Sequence, residues 1–215
     1  MNKKVALVLS GCGVFDGSEI HESVIALNAL EELSASITFF APNIEQMHAI
    51  NHLKGVEHSV NRNVLEESAR LARGNISDLA SFDAGDFDAL VFVGGFGAAK
   101  NLSTFAIEGE NCSVNADVAL AINKMLELNK ASAFICISPV IAARVIANGV
   151  ELTIGNDEAT AQKIEAMGAK HINCEADSFV HDAKFNVYST PAYMLAQNTV
   201  ELRKGISTMF SAMLS

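Results

Sequence analysis

Cys136 closes the apolar run Ala131-Ser132-Ala133-Phe134-Ile135 and is followed by Ile137-Ser138-Pro139. Such a run reads as a buried β-strand. Pro139 suits the first turn of a helix, where its missing N–H would have no partner anyway. The cysteine is thereby placed where a strand turns sharply into a helix, the geometry of a nucleophile elbow. The helix N-terminus beyond it carries partial positive charge and favours a thiolate. A buried core cysteine would satisfy the same pattern. A second candidate is Glu22, in Ser18-Glu19-Ile20-His21-Glu22, which opens a helix after the first strand. It stands at the sheet edge where open α/β folds place their sites. Glu19 shares that position, and the helix dipole alone also draws acids to a first turn. A third is Gly94-Gly95, after the strand at 88–93. Glycine amides at a strand end approach a ligand closely and stabilise an oxyanion when two converge. An ordinary βα turn looks the same.

Other residue groups lead elsewhere. The loop Ser10-Gly11-Cys12-Gly13-Val14-Phe15-Asp16-Gly17 spaces its glycines as G-x-G-x-x-x-G, one residue too long for a dinucleotide fingerprint. The following strand ends in Ala41-Pro42-Asn43, with no acid for a ribose. Lys100 follows Gly97 without the spacing of a phosphate-binding loop. His48 and His52 are four apart but lack the H-E-x-x-H pattern, so they read as solvated histidines on a helix face. The four cysteines (12, 112, 136 and 174) form no C-x-x-C pair, so neither a zinc site nor any other metal is expected.

The elements that must position these groups alternate. Strands are expected at 5–9, 36–40, 88–93, 131–135 and 151–155, with a hairpin at 179–190 turning at Asp182-Ala183-Lys184. The first helix is capped by Ser18 and buries Val24, Leu27, Leu30 and Leu33. Residues 44–81 read as polar and helix-rich, with Leu65, Ala69 and Ala72 on one face and Glu66 paired to Arg70. Further helices are expected at 114–128, from Pro139 to about 147, at 157–167 and, unbroken, at 193–214. The pattern is an α/β fold with a mostly parallel sheet and helices on both faces.

Composition sets the surroundings. The 215 residues are half hydrophobic, enough for a core on each side of a sheet, and carry a net charge of −10. That charge argues against a nucleic-acid partner and against a polybasic membrane contact. No apolar run reaches the ~20 residues of a bilayer span. Met1-Asn2-Lys3-Lys4 leads straight into a strand without a signal h-region, and the unpaired cysteines suit a reducing compartment, so a cytoplasmic location is expected.

Several long stretches together carry a resemblance. They are residues 9–22 (LSGCGVFDGSEIHE), Arg62-Asn63-Val64-Leu65-Glu66, residues 94–102 (GGFGAAKNL), Cys136-Ile137-Ser138-Pro139 and residues 190–198 (TPAYMLAQN). Over nearly its whole length the chain resembles the ElbB-type glyoxalases, the enhancing-lycopene-biosynthesis or isoprenoid-biosynthesis proteins with an amidotransferase-like domain. The resemblance implies a single class I glutamine amidotransferase-like domain over 1–215, with a flavodoxin-like three-layer sandwich and a reactive cysteine at the elbow. Cys136 matches that cysteine. Glu22 matches the glutamate that hydrogen-bonds it, ahead of Glu19. Gly94, Gly95 and the amide of Ile137 match the oxyanion positions. Glu19, Cys12 and Asn101 are expected around the substrate pocket, Cys12 because its loop precedes Glu22. Where amidotransferases and peptidases of the superfamily have a histidine, this chain reads Thr153-Ile154-Gly155-Asn156.

The resemblance thus implies a cytoplasmic homodimer acting on a small dicarbonyl without cofactor. The Cys136 thiolate adds to glyoxal, Glu22 moves a proton through an enediol, and glycolate, or lactate from methylglyoxal, is released. Apparent repair of early glycation adducts on proteins would share the first step. Two other readings stand beside it. One is a non-enzymatic redox sensor built on a low-pKa Cys136, or an accessory protein linked to isoprenoid biosynthesis. The other is a peptidase, which requires His171 or His181 to reach Cys136.

Overall fold

The computed structural model describes residues 2–215. The first strand, β1 (Lys4–Val8), sends Val5 and Leu7 into one core and Ala6 and Val8 into another. A parallel strand covered on both faces requires that division, since successive side chains point opposite ways. Next come α1 (Ile20–Glu32), β2 (Ser36–Ala41) and a small hairpin, β3 (Ile50–Asn51) with β4 (Val56–Glu57). The short helix α2 (Val64–Ser68) and β5 (Ile76–Asp78) complete the first half. The second half begins with β6 (Ala89–Phe92), α3 (Phe96–Lys100), α4 (Phe105–Glu108) and α5 (Ala116–Glu127). It continues through β7 (Ala131–Ile135), α6 (Pro139–Ile146), β8 (Glu151–Leu152), α7 (Glu158–Ala166) and β9 (Lys170–His171). It ends with β10 (Val180–Asp182), β11 (Val187–Thr190) and α8 (Thr199–Met213).

Seven strands form one sheet in the order β10-β11-β7-β6-β1-β2-β5. Every neighbouring pair is parallel except β10 with β11, the expected late hairpin. α1 and α8 cover one face through Leu30, Leu202, Ile206 and Phe210. α5 and α6 cover the other with Ile122, Met125, Val140 and Ile141. In that second core the fully buried rings of Phe92 and Phe134 stack at 5.1 Å, tying β6 to β7. This is the flavodoxin-like three-layer sandwich. Because β1, β6, β7 and β11 run in one direction, their C-terminal ends deliver residues 9–19, 93–95, 136–138 and 190–193 to one edge of the sheet.

The structure departs from the sequence reading in six places. The strand expected at 151–155 is only the two-residue β8, which pairs with β9 in a separate small sheet. α1 is capped by Glu19, whose carboxylate accepts the Glu22 N–H, while Ser18 bonds Ser10 instead. Its buried face is Glu22, Ser23, Ala26, Ala29 and Leu30, leaving Val24 and Leu33 exposed. Residues 44–81 are mainly loop and short strand, with the five-residue α2 and a 3₁₀ turn at 79–81, and His48 and His52 lie in loop and turn. Arg70 pairs with Glu67 rather than Glu66. The C-terminal helix starts at Thr199, because Asn198 caps it by accepting from the Val200 and Glu201 amides. Residues 192–194 form only a 3₁₀ turn.

Candidate active site

Cys136 has φ +64° and 8 % exposure. A non-glycine residue holds such a backbone only when its surroundings over-determine it, and here they do. Cys136 N–H donates to Thr190 O at 3.0 Å on β11. Ser138 Oγ accepts from Ile135 N–H at 2.8 Å and lies 3.0 Å from Phe92 O, binding the turn to both β7 and β6. Pro139 then starts α6. The elbow expected from the sequence is thus present.

Glu22 is fully buried beside it, in the first turn of α1. The loop that leads into α1 is held to the end of β6 by three main-chain hydrogen bonds. Glu19 N–H donates to Gly94 O at 3.0 Å, Gly97 N–H to Gly17 O at 2.9 Å, and Phe96 N–H to Val14 O at 2.8 Å. The Glu22 carboxyl and the Cys136 side chain are neighbours, both crowding the α-carbon of Gly94. Glu22 Oε1 accepts the Tyr193 N–H at 3.3 Å, while the buried Oε2 has no hydrogen-bond partner among the described residues. Burial, then the charge of Glu19, push the Glu22 carboxyl up to about 8. Burial and the neighbouring Glu22 push the Cys136 thiol well above its ordinary value. The thiolate expected from the helix N-terminus is therefore not the resting state. The amides that favour it are outweighed by loss of solvent and by the adjacent carboxyl.

Two main-chain N–H groups, those of Gly95 and Ile137, face the sulfur. Gly94 serves differently from expectation, since its N–H faces the Glu22 carboxyl. It must also be glycine, because a Cβ there would overlap the Cys136 Cβ and Glu22 Oε2. Gly95, at φ +91°, starts α3 in a conformation that favours glycine. In front of the sulfur lies a cleft of about 430 Å³, walled by Val14, Glu19, Phe96, Phe105, Ile137 and Met194 among others.

Of the residues expected around the pocket, Glu19 lines the cleft and Cys12 and Asn101 do not. Cys12 lies among Arg70, Glu67, Asp16 and Arg62, on the α2 side of its loop. Asn101 is a structural staple: its Nδ2 donates to Ser10 O and Asp16 O, both at 2.9 Å, and its Oδ1 accepts from Met47 N–H. Neither His171 nor His181 lines the cleft. His171 Nε2 accepts the Ile154 N–H, and the His181 ring stacks on Tyr188 at the sheet edge, which removes the basis for a Cys–His peptidase. The sequence reading missed Tyr193 and Ser138. Tyr193 lines the cleft, its N–H holds Glu22, and its hydroxyl is 2.9 Å from His21 Nδ1. Its sequence signal was the stretch 190–198, whose Pro191-Ala192 turn precedes it; in the structure Ala192 takes φ +48°.

No family model matches the chain. It is 45 % identical to glutamine amidotransferase-like class 1 domain-containing protein 3, mitochondrial, from Homo sapiens, over 96 % of this chain and 80 % of that protein. It is 44 % identical to the ES1 protein homolog, mitochondrial, from Rattus norvegicus, over 98 % and 83 %. Among solved structures, the isoprenoid biosynthesis protein with amidotransferase-like domain from Ehrlichia chaffeensis is 32 % identical, covers 98 % of each chain and superimposes with a TM-score of 0.90. DJ-1beta from Drosophila melanogaster shares the fold, at 16 % identity and a TM-score of 0.60. The expected cytoplasmic location is corrected by these relatives, whose names place them in mitochondria. Unpaired thiols persist in any reducing compartment, so they never distinguished the two. The chain belongs to the class I glutamine amidotransferase-like family.

Proposed function

We propose that this member of the class I glutamine amidotransferase-like family is a cofactor-independent glyoxalase, converting glyoxal to glycolate and methylglyoxal to lactate. The observation that carries the reading is the buried Cys136–Glu22 pair in a cleft that, among the described residues, no histidine lines. Amide hydrolysis needs an acid for the leaving amine, and histidine supplies it in the usual cysteine hydrolases. A dicarbonyl has no leaving amine. It needs a nucleophile, an oxyanion site, and one group that removes and returns a proton.

The Gly95 and Ile137 amides supply the oxyanion site, and the pair supplies the first and the last. With one proton shared between them, the sulfur adds to an aldehyde carbon. The new oxyanion lies against the Gly95 and Ile137 amides and takes the proton from Glu22. The Glu22 carboxylate then removes the hydrogen on the sulfur-bearing carbon, giving an enediol, and returns a proton to the neighbouring carbon. One carbon is thereby oxidised to the acid level as the other is reduced to the alcohol. Water cleaves the thioester and restores the thiol. A carboxyl raised to about 8 is matched to taking and giving protons near neutral pH.

The homodimer and the single domain over 1–215 belong to the same reading, as does the mitochondrial setting carried by the relatives' names. A redox-sensor role is less well supported, since a sensor needs an accessible thiol of low pKa and Cys136 is 8 % exposed. An accessory role in isoprenoid metabolism draws on the name of the Ehrlichia chaffeensis structure. The test is glycolate formation from glyoxal, followed by proton NMR in amine-free buffer. Wild type should turn over and Cys136→Ala should not; equal rates would overturn the proposal.

A further inference from the structure

At about 430 Å³ the cleft is far larger than a two-carbon dicarbonyl needs, and falls in the range that encloses drug-sized ligands. Its walls are mostly apolar, with Val14, Phe96, Phe105, Ala106, Ile137 and Met194 surrounding the approach to Cys136. Among the described residues that line it, Glu19 alone carries a charged side chain, and no lysine or arginine does. Two ammonium groups near the walls are engaged with the rings. Lys100 Nζ is 5.2 Å from the Phe96 centroid and 2.9 Å from Phe15 O, and Lys163 Nζ is 5.8 Å from the Phe105 centroid.

Building on the glyoxalase reading, we propose that the cleft selects neutral 2-oxoaldehydes bearing an apolar substituent up to the size of an aromatic ring, and rejects those whose substituent carries a carboxylate. With the aldehyde carbon at the Cys136 sulfur and its oxygen at the Gly95 and Ile137 amides, the rest of the molecule extends between Phe96 and Phe105. A ring placed there leaves water for apolar and aromatic surface. A carboxylate placed there loses its hydration beside Glu19 and finds no cation in return. The chemistry is unchanged. R–CO–CHO adds the thiol to give a hemithioacetal, a proton moves from the aldehyde carbon to the ketone carbon through the enediol, and water cleaves the thioester to R–CH(OH)–COOH. The oxidation of one carbon balances the reduction of the other, so no external oxidant is needed.

The experiment compares kcat/KM for glyoxal, phenylglyoxal and 4-carboxyphenylglyoxal, reading the hydroxy acids by NMR. Phenylglyoxal is expected to exceed both others by at least about tenfold. Phe96→Glu, at a half-exposed rim position, should shrink the ratio of phenylglyoxal to glyoxal. Turnover of glyoxal without preference for phenylglyoxal, or equal turnover of the carboxylated analogue, overturns the inference while the glyoxalase reading stands. Absence of all turnover overturns the glyoxalase reading, and the cleft is then read from binding alone. Saturation-transfer NMR with unreactive acetophenone and 4-acetylbenzoate should show the first bound at least about tenfold more tightly, with the preference reduced in Phe96→Glu. Equal binding, or none, overturns the selectivity in that case.

Discussion

Glu22 carries a cost that solution measurements can detect. Its carboxyl is raised to about 8 in the fold, chiefly by burial. An unfolded glutamate ionises near pH ~4.3. The folded state therefore holds a proton that the unfolded state releases as pH rises between those values. Stability falls across that window and is constant again above it. Glu22→Gln removes the titration. Relative to wild type it should gain stability from pH 4.5 to pH 8, by up to ~5 kcal/mol, and show no such pH-dependent gain below pH 4. Denaturant melts at pH 4 and pH 8 check this; a pH-independent difference would contradict the burial of an ionisable Glu22. The same proton governs the rate. Since both groups are raised, the singly deprotonated pair forms only as pH climbs, so kcat/KM for glyoxal should rise through about pH 8. A profile flat from pH 6 to 9 would contradict it.

At the scale of elements, the site is a meeting of strand ends, and the small residues in those turns matter as much as the reactive ones. Ser138 joins β6 and β7 beneath the elbow. Ser138→Ala leaves buried main-chain groups short of a partner and should cost ~1–3 kcal/mol, measured by denaturant unfolding. Gly94→Ala should disrupt the Cys136–Glu22 pair and abolish glyoxal turnover, because the added methyl overlaps both side chains; a fully active alanine variant would contradict the geometry. The elbow was legible in the sequence because its signals are local: an apolar run, a cysteine and a proline within nine residues (131–139). The βαβ pattern put Glu19 and Glu22 at the sheet edge without separating them; the resemblance ranked Glu22 first, and the main-chain partner that holds it was not legible. The Tyr193 amide that holds it lies 171 residues away. Residues 44–81 misled because the helical pieces there are short: Asn63 caps a helix of five residues and Asp78 a single 3₁₀ turn. The C-terminal helix was drawn too long because Asn198 marks a start through a side-chain bond that hydrophobic spacing does not register.

For the molecule as a whole, alternating strands and helices made the sheet and its two cores predictable, since a strand buried on both faces leaves a continuous apolar run. Outward-facing apolar residues obscured the finer detail. Val24 and Leu33 fitted a helical stripe, yet α1 turns Glu22, Ala26 and Leu30 inward instead. Among the described residues no helix is long and apolar enough to cross a membrane. The net charge of −10 predicts no retention on nucleic acid at physiological salt. The proposed homodimer predicts a sedimentation-equilibrium mass of about twice the 22.9 kDa chain mass; the chain mass itself would contradict it.

In the proposed reaction Glu22 moves the proton for a cysteine-bound dicarbonyl. The most direct measurement is glycolate formation from glyoxal by Glu22→Gln beside wild type, with folding confirmed by near-ultraviolet circular dichroism and the Cys136 thiol confirmed free. The expected loss is at least ~100-fold, the usual contribution of a positioned acid–base group. A rate within about twofold of wild type would place the proton transfer on some other group and contradict the account.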